Sequence, residues 1–122
     1  MMHNMKPWEF EMLVCQLFES KNYTVTQTKQ TRDGGKDLIV AENNLAGNFS
    51  HYVECKRNAP DRCVGVNVIR ALHGTVRSEQ ATAGIVVTSS YFSDPVQEYT
   101  RTMRHQMSLI DYTNLCNLIK GL

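Results

Sequence analysis

The chain predicts an α/β fold, a mixed β-sheet flanked by helices in the order α-β-β-β-α-β-α-β-α. Three observations lead there. Runs of β-forming residues separated by short turns fill positions 23–56, the pattern of an antiparallel meander. Beyond position 63, short apolar runs alternate with segments of helical period, the pattern of strands joined through helices. One amphipathic helix precedes them all.

That first helix is expected from Trp8 to about Ser20, with Phe10, Leu13, Val14, Leu17 and Phe18 at helical spacing and Pro7 placed for the first turn. Residues 1–7 are expected to be flexible. Tyr23 to Thr28 alternates and is rich in β-formers, which gives a strand. Asp33-Gly34-Gly35 punctuates a turn, and Asp37 to Ala41 forms a second strand with a buried centre. Asn43-Asn44 through Gly47-Asn48 turns the chain again, into a third strand around His51-Tyr52-Val53-Glu54-Cys55-Lys56. A polar loop from Asn58 to Arg62 precedes a helix from about Val66 to Arg77, its inner face carrying Val66, Ile69, Leu72 and Val76. Gly84-Ile85-Val86-Val87-Thr88 is a continuous apolar run, as in a strand covered on both faces. Asp94-Pro95 opens a third helix with Asp94 as its cap, Ser108 to Asp111 is a last strand, and Thr113 caps a terminal helix.

At 122 residues the chain reads as one domain, 1–122, able to bury roughly two-thirds of its unfolded surface without disulfides. Net charge is +1, so an anionic partner must be met by a local patch rather than by the protein's overall field. The four cysteines form no C-x-x-C pair and read as free buried thiols in a reducing cytoplasm, and the four histidines show no metal-binding spacing. No apolar run approaches the ~20 residues that span a bilayer, and no secretory leader is evident; a cytoplasmic protein is expected.

The chemistry concentrates in the third strand. Side chains alternate along a strand, so Glu54 and Lys56 share a face about 7 Å apart while Cys55 faces away. Asp37, directly before Leu38-Ile39-Val40, brings a second carboxylate to the lip of a buried strand, which is costly unless it is paired or bound to metal. Together Asp37 and Glu54, with the backbone carbonyl of Cys55 as a third ligand, form a hard-oxygen set suited to Mg²⁺, or Mn²⁺ in its place. Lys56 beside them would orient an attacking water or neutralise charge on a phosphorane. Each residue also has a bland reading: Asp37 as a turn residue, Glu54 and Lys56 as an exposed ion pair. Glu11 lies at the edge of the first helix's apolar stripe, and periodicity alone leaves it either exposed or leaning into the site. Lys29, Arg32 and Lys36 surround the Gly34-Gly35 turn, Arg57 and Arg62 follow the third strand, and Arg70 and Arg77 align two turns apart on the second helix with His73 between them. Singly these are surface charges. Gathered about an acidic centre they fit a cradle for a phosphate backbone.

The motifs Trp8-Glu9-Phe10-Glu11, Asp33-Gly34-Gly35-Lys36-Asp37, Glu54-Cys55-Lys56-Arg57, Val64-Gly65-Val66 with Arg70 and Gly74, Val86 to Ser90 with Phe92, and Leu109-Ile110-Asp111 occur in the order seen in Mrr-type restriction endonuclease domains of the PD-(D/E)xK nuclease superfamily. The resemblance runs from about Trp8 to Leu118. It implies a restriction-endonuclease-like fold and divalent-metal-dependent cleavage of DNA, in restriction or in defence against phage or plasmids. Carried across, Asp37 and Glu54 bind Mg²⁺, Lys56 acts on the attacking water and Glu11 supports the site. Departures are Glu54, where many Mrr-type members carry glutamine, Lys21-Asn22-Tyr23 in place of Gly-Tyr, and Tyr112 after Asp111 in place of glycine. Members generally join this domain to a separate recognition module, so the sequence reads as a catalytic domain or as a small protein that relies on a partner or on homodimerisation. Rival readings are a repair or Holliday-junction nuclease, and a non-catalytic nucleic-acid-binding or assembly domain.

Overall fold

Five strands form one sheet in the order β1-β2-β3-β4-β5, so every strand lies beside its neighbours in sequence. The computed structural model describes residues 2–28 and 36–121. A 3-10 turn, Met2–Asn4, leads into α1 (Pro7–Ser20), and β1 (Thr24–Gln27), β2 (Leu38–Asn44) and β3 (Gly47–Lys56) follow. Then come α2 (Val66–Ser78), β4 (Ala83–Thr88), α3 (Asp94–Thr100), β5 (Met107–Ile110) and α4 (Tyr112–Lys120). The element order read from the sequence is the observed one, and the fold is a mixed sheet flanked by helices.

Strands β1, β2 and β3 pair antiparallel, whereas β3, β4 and β5 pair parallel. The reason is connection length. Short links permit a meander, and the parallel pairs are each bridged by a helix. The β2–β3 turn is tighter than the sequence suggests: Asn44 pairs with Gly47, leaving only Leu45 and Ala46 between the strands. Gly47 has φ +135°, a conformation that side chains disfavour.

Two apolar layers enclose the sheet. Phe10, Val14, Cys15 and Leu17 of α1 and Leu115 of α4 pack on Leu38, Val40, Val53 and Val87. Ile69, Leu72 and Val76 of α2, with Phe92 and Val96, pack on Val86 and Met107. Val86 and Val87 thus point into opposite layers, which explains the continuous apolar run of β4. Gly84 marks the closest helix–sheet approach: a Cβ there would lie 2.9 Å from Met107 Sδ and 3.1 Å from both Leu72 Cδ2 and Val76 Cγ2.

Local details differ from expectation. The lead-in expected to be flexible holds the 3-10 turn, and Arg57 Nη1 donates to the His3 carbonyl at 2.8 Å. Ser93 rather than Asp94 occupies the N-terminal cap position of α3, where its backbone carbonyl accepts from the Val96 and Gln97 amides and its side chain makes no capping bond; Asp94 is already helical. Helix α4 is capped by Asp111 rather than Thr113; its Oδ1 accepts from the Asn114 amide at 2.9 Å, and Asn114 Oδ1 accepts in return from the Asp111 amide at 3.3 Å. His73 turns away from the Arg70–Arg77 row into the core, with Nδ1 3.1 Å from Tyr99 Oη and Nε2 2.8 Å from Gln106 Oε1. All four cysteines are free, but only Cys15 is buried; Cys55 and Cys116 are half-buried and Cys63 is exposed. Among the described residues no helix is long and apolar enough to cross a membrane.

Candidate active site

The paired carboxylates meet where the β2–β3 ladder ends. Leu38–Val53 is its last pair, and the Asp37 amide donates to the same Val53 carbonyl at 2.7 Å, one residue out of register. The Asp37 carbonyl accepts from the Thr28 amide at 2.9 Å, continuing the β1–β2 ladder, and the Asp37 side chain lies in hydrogen-bonding contact with Glu54. Asp37 Oδ2 accepts from the Cys55 amide at 2.7 Å. That bond satisfies part of a carboxylate only 7% exposed.

Like charges in contact repel. The consequence falls on Glu54, whose carboxyl is pushed up to about 8. Burial is the largest cause, followed by the charge of Asp37; Lys56 opposes the shift, while a hydrogen bond with Asp37 and the charge of Glu11 add to it. The Glu54 carboxyl therefore keeps its proton near neutrality. Lys56 Nζ stands 3.8 Å from Glu54 Oε1, with its side chain 40% exposed against 12% for Glu54. The ammonium is thus at the open side of the site and the carboxyl at its floor. Cys55 faces the α1 layer near Cys15, and burial, then the charge of Asp37, raises its thiol well above the ordinary range. It is no thiolate ligand; only its backbone carbonyl is a candidate.

These groups line a cleft of about 260 Å³ formed by Pro7, Glu11, Asp37, Glu54, Cys55, Lys56, Arg57 and Asn58. All four polar residues expected at the centre, Glu11, Asp37, Glu54 and Lys56, meet there. A larger cleft of about 450 Å³ lies between α3, β5 and the start of α4, and it holds none of them. Among the described residues no three His, Cys, Asp or Glu side chains converge as a complete metal cage. Two adjacent carboxylates and a backbone carbonyl nevertheless suit Mg²⁺, which keeps several waters and takes only one or two carboxylates from its protein. The donor chemistry fits.

The basic residues separate. Arg57 lines the cleft, with its Nε buried and unpartnered. Arg62 is exposed on the loop after β3. Lys36, expected on the phosphate cradle, is committed elsewhere: its Nζ is 2.7 Å from Glu79 Oε1 and 4.3 Å from the centre of the Tyr52 ring. Arg70 packs 5.5 Å over the Tyr99 ring, Arg77 is exposed on the same helix, and neither lines the cleft. Lys29 and Arg32, with Asp33-Gly34-Gly35, lie outside the described residues.

Sequence reasoning from single residues missed the support beneath Lys56. Buried Thr88 donates through Oγ1 to Lys56 O at 2.7 Å and accepts from the Ser90 amide at 3.0 Å. Ser89 donates its amide to Lys56 O at 3.2 Å and its hydroxyl to Asn58 O at 2.7 Å; the Ser90 hydroxyl reaches Pro60 O at 3.3 Å. Three consecutive hydroxyls thereby clamp the backbone that carries Lys56 and Arg57. The available signal was a Thr-Ser-Ser run directly after an apolar strand, where uncompensated burial would be costly. Pro7 and Asn58 were likewise unmarked as lining residues.

A fold of this topology with paired carboxylates and a neighbouring lysine defines the restriction-endonuclease-like class. A family model for Mrr catalytic domains, described as restriction endonuclease, matches residues 2–119, and the chain belongs to that family. An uncharacterized protein, y4cE of Sinorhizobium fredii (strain NBRC 101917 / NGR234), is 26% identical over 102 residues, which is 83% of this chain and 26% of the relative. The chain thus spans about a quarter of that protein's length. Among solved structures, the DNA modification-dependent restriction endonuclease AspBHI superposes with a TM-score of 0.74 at 19% identity, over 93% of this chain and 31% of that one. The MspJI restriction endonuclease, in complex with a 27-mer oligonucleotide, gives a TM-score of 0.59 at 17% identity, over 89% of this chain and 26% of that one.

Proposed function

We propose that the chain is a divalent-metal-dependent endonuclease that hydrolyses phosphodiester bonds in DNA, acting in restriction or another defence against phage or plasmid DNA. The observation that carries this reading is the Asp37–Glu54 carboxyl pair gathered in one cleft, with Lys56 3.8 Å from Glu54 at its mouth. Family membership supports nuclease activity, and the oligonucleotide bound by MspJI supports a nucleic-acid substrate. The restriction and defence context rests on the family alone.

Asp37, Glu54 and the Cys55 carbonyl would hold Mg²⁺, with Mn²⁺ as its substitute. The cation would supply Lewis acidity and offset the negative charge on the phosphoryl oxygens during attack. The protein's own groups do the rest. Lys56, at the open side, presents its ammonium to the scissile phosphate and orients the attacking water. Glu11, close enough to raise the Glu54 carboxyl, supports that water from α1. Arg57 and Arg62 meet flanking phosphates. Water adds its oxygen to phosphorus, one phosphorus–oxygen ester bond breaks, and the departing sugar oxygen takes up a proton.

The test is nicking of supercoiled plasmid with Mg²⁺ or Mn²⁺ by the wild type, by Lys56→Ala and by the wild type in EDTA. Cleavage confined to the metal-loaded wild type is expected. Binding without cleavage under every condition would reassign the protein as a nucleic-acid-binding domain. Preference for a four-way junction over linear duplex at equal concentration would make it a structure-selective nuclease.

A further inference from the structure

The chain has a single tryptophan, and it is 61% exposed. Trp8 follows Pro7 and stands one residue short of a helical turn before Glu11, and both of those residues line the catalytic cleft. Met12, one turn beyond Trp8 and 40% exposed, continues the apolar strip. Folding does not require this placement. Phe10, Val14 and Leu17 already fill the inner face of α1.

The platform beneath Trp8 is fixed at several points. The Lys6 amide donates to Glu9 Oε1 at 2.8 Å, the Phe10 amide donates to Lys6 O at 3.1 Å, and Phe10 is fully buried beneath. Just before it, Arg57 of the cleft wall holds the His3 carbonyl at 2.8 Å, tying the lead-in of α1 to the site. Cations accompany the indole: Lys6 is exposed two residues earlier, and Lys56 and Arg57 stand in the cleft. An exposed indole on the helix end that supplies Pro7 and Glu11 to a cleft holding Lys56 and Arg57 matches the chemistry of a nucleotide strand, whose phosphates meet the charges while its bases offer π faces. A paired base in a duplex shows only its edges, so an indole can meet a base face only where the base is unstacked.

We propose that Trp8 is a base-stacking residue: its indole packs on an unstacked nucleobase next to the phosphate held in the Glu54–Lys56 cleft. The inference rests on the nuclease reading and deepens it, because it selects strands with a single-stranded, frayed or extruded base at the cutting position.

The lone tryptophan supplies its own probe. Full-length protein in EDTA, where nothing is cut, is titrated with a short single-stranded oligonucleotide and with the matching duplex. Indole emission is followed in one titration, and anisotropy of an end-labelled strand in another. Emission should fall along the same isotherm as anisotropy rises, more deeply for the single strand than for the duplex. Trp8→Ala should weaken single-strand binding about tenfold and Trp8→Phe far less, with the salt dependence unchanged since no charge is removed. Binding without a change in emission, or Trp8→Ala binding like the wild type, would overturn the stacking role while leaving the nuclease reading intact, and would reassign the strip to a protein partner. No binding of any oligonucleotide, together with no plasmid cleavage, would overturn both.

Discussion

The Glu54 and Asp37 carboxyls lie in contact and would repel if both were ionised, and the cost appears as a Glu54 carboxyl raised to about 8 from an ordinary 4.5. In the metal-free protein this makes stability depend on pH. Between those two values the folded state keeps a proton that the unfolded state has released, so the unfolded state binds fewer protons and unfolding becomes easier as pH rises. The stabilisation is complete below 4.5 and lost above about 8. Urea denaturation in EDTA at several pH values should therefore show the wild type losing stability across this window relative to Glu54→Gln, which cannot titrate. Parallel curves for the two proteins would refute the retained proton. Lys36 makes the contrasting case. Its charge is engaged by Glu79, 43 residues away, with the Tyr52 hydroxyl on the same carboxylate at 2.9 Å. Lys36→Ala should leave DNA affinity unchanged, whereas Arg57→Ala should weaken it, both read by anisotropy. Position beside the Gly34-Gly35 turn suggested a phosphate contact for Lys36; only the three-dimensional approach of Glu79 reveals its actual partner.

Strand β4 and the turn after it hold Lys56, the proposed catalytic lysine, at one end and the α2 contact at the other. Thr88→Val should unfold about 1–3 kcal/mol more easily, because its hydroxyl both donates to Lys56 O and accepts from the Ser90 amide. It should also lower the cleavage rate beyond that loss, by releasing the backbone that aims Lys56. At the other end, Gly84→Ala should cost about 1–3 kcal/mol by driving a methyl into Met107, Leu72 and Val76, measured as a lower denaturation midpoint. The elements themselves were legible in the sequence: period-two runs joined by short turns can only meander, and the two-faced burial of β4 follows from its unbroken apolar run. Their ends were not. Ser93-Asp94 and Asp111-Tyr112-Thr113 each offer more than one competent cap, and the backbone path into the helix decides which oxygen meets the free amides. Strand alternation made Asp37, Glu54 and Lys56 candidates and the family resemblance added Glu11, and the structure brings these four into one cleft. Its supporting hydroxyls could not be assigned partners, since their acceptors lie 30 to 32 residues away on the exit of β3.

The charge of the whole molecule sets a limit on how it can hold DNA. With a formal charge of +1, the protein has almost no long-range attraction for a polyanion, and its affinity must come from the few cations near the cleft. Among the described residues Lys56 and Arg57 line the cleft, and Arg62, exposed on the loop that follows β3, is the third proposed phosphate contact; Lys36 is paired, and Arg70 and Arg77 are on α2. Each phosphate neutralised contributes about −0.9 to the slope of log affinity against log salt, so three contacts give a slope of about −3 on duplex DNA. Arg62→Ala should flatten that slope by about one unit and weaken binding alike on every sequence, and Arg77→Ala should leave it unchanged. A slope much steeper than −3, or one sensitive to Arg77, would place the DNA across α2 instead of the β3 exit. Three phosphate contacts hold non-specific duplex only weakly, with a dissociation constant of roughly 10 μM or above at physiological salt. They also carry no base information. Sequence or modification specificity would therefore need surface beyond this cleft, and AspBHI and MspJI are about three and about four times the length of the region each shares with this chain. Supplying a recognition domain in the same reaction, joined or free, should raise cleavage at limiting DNA without altering the single-turnover rate at saturation, because the domain would add binding and leave the Asp37–Glu54–Lys56 chemistry untouched.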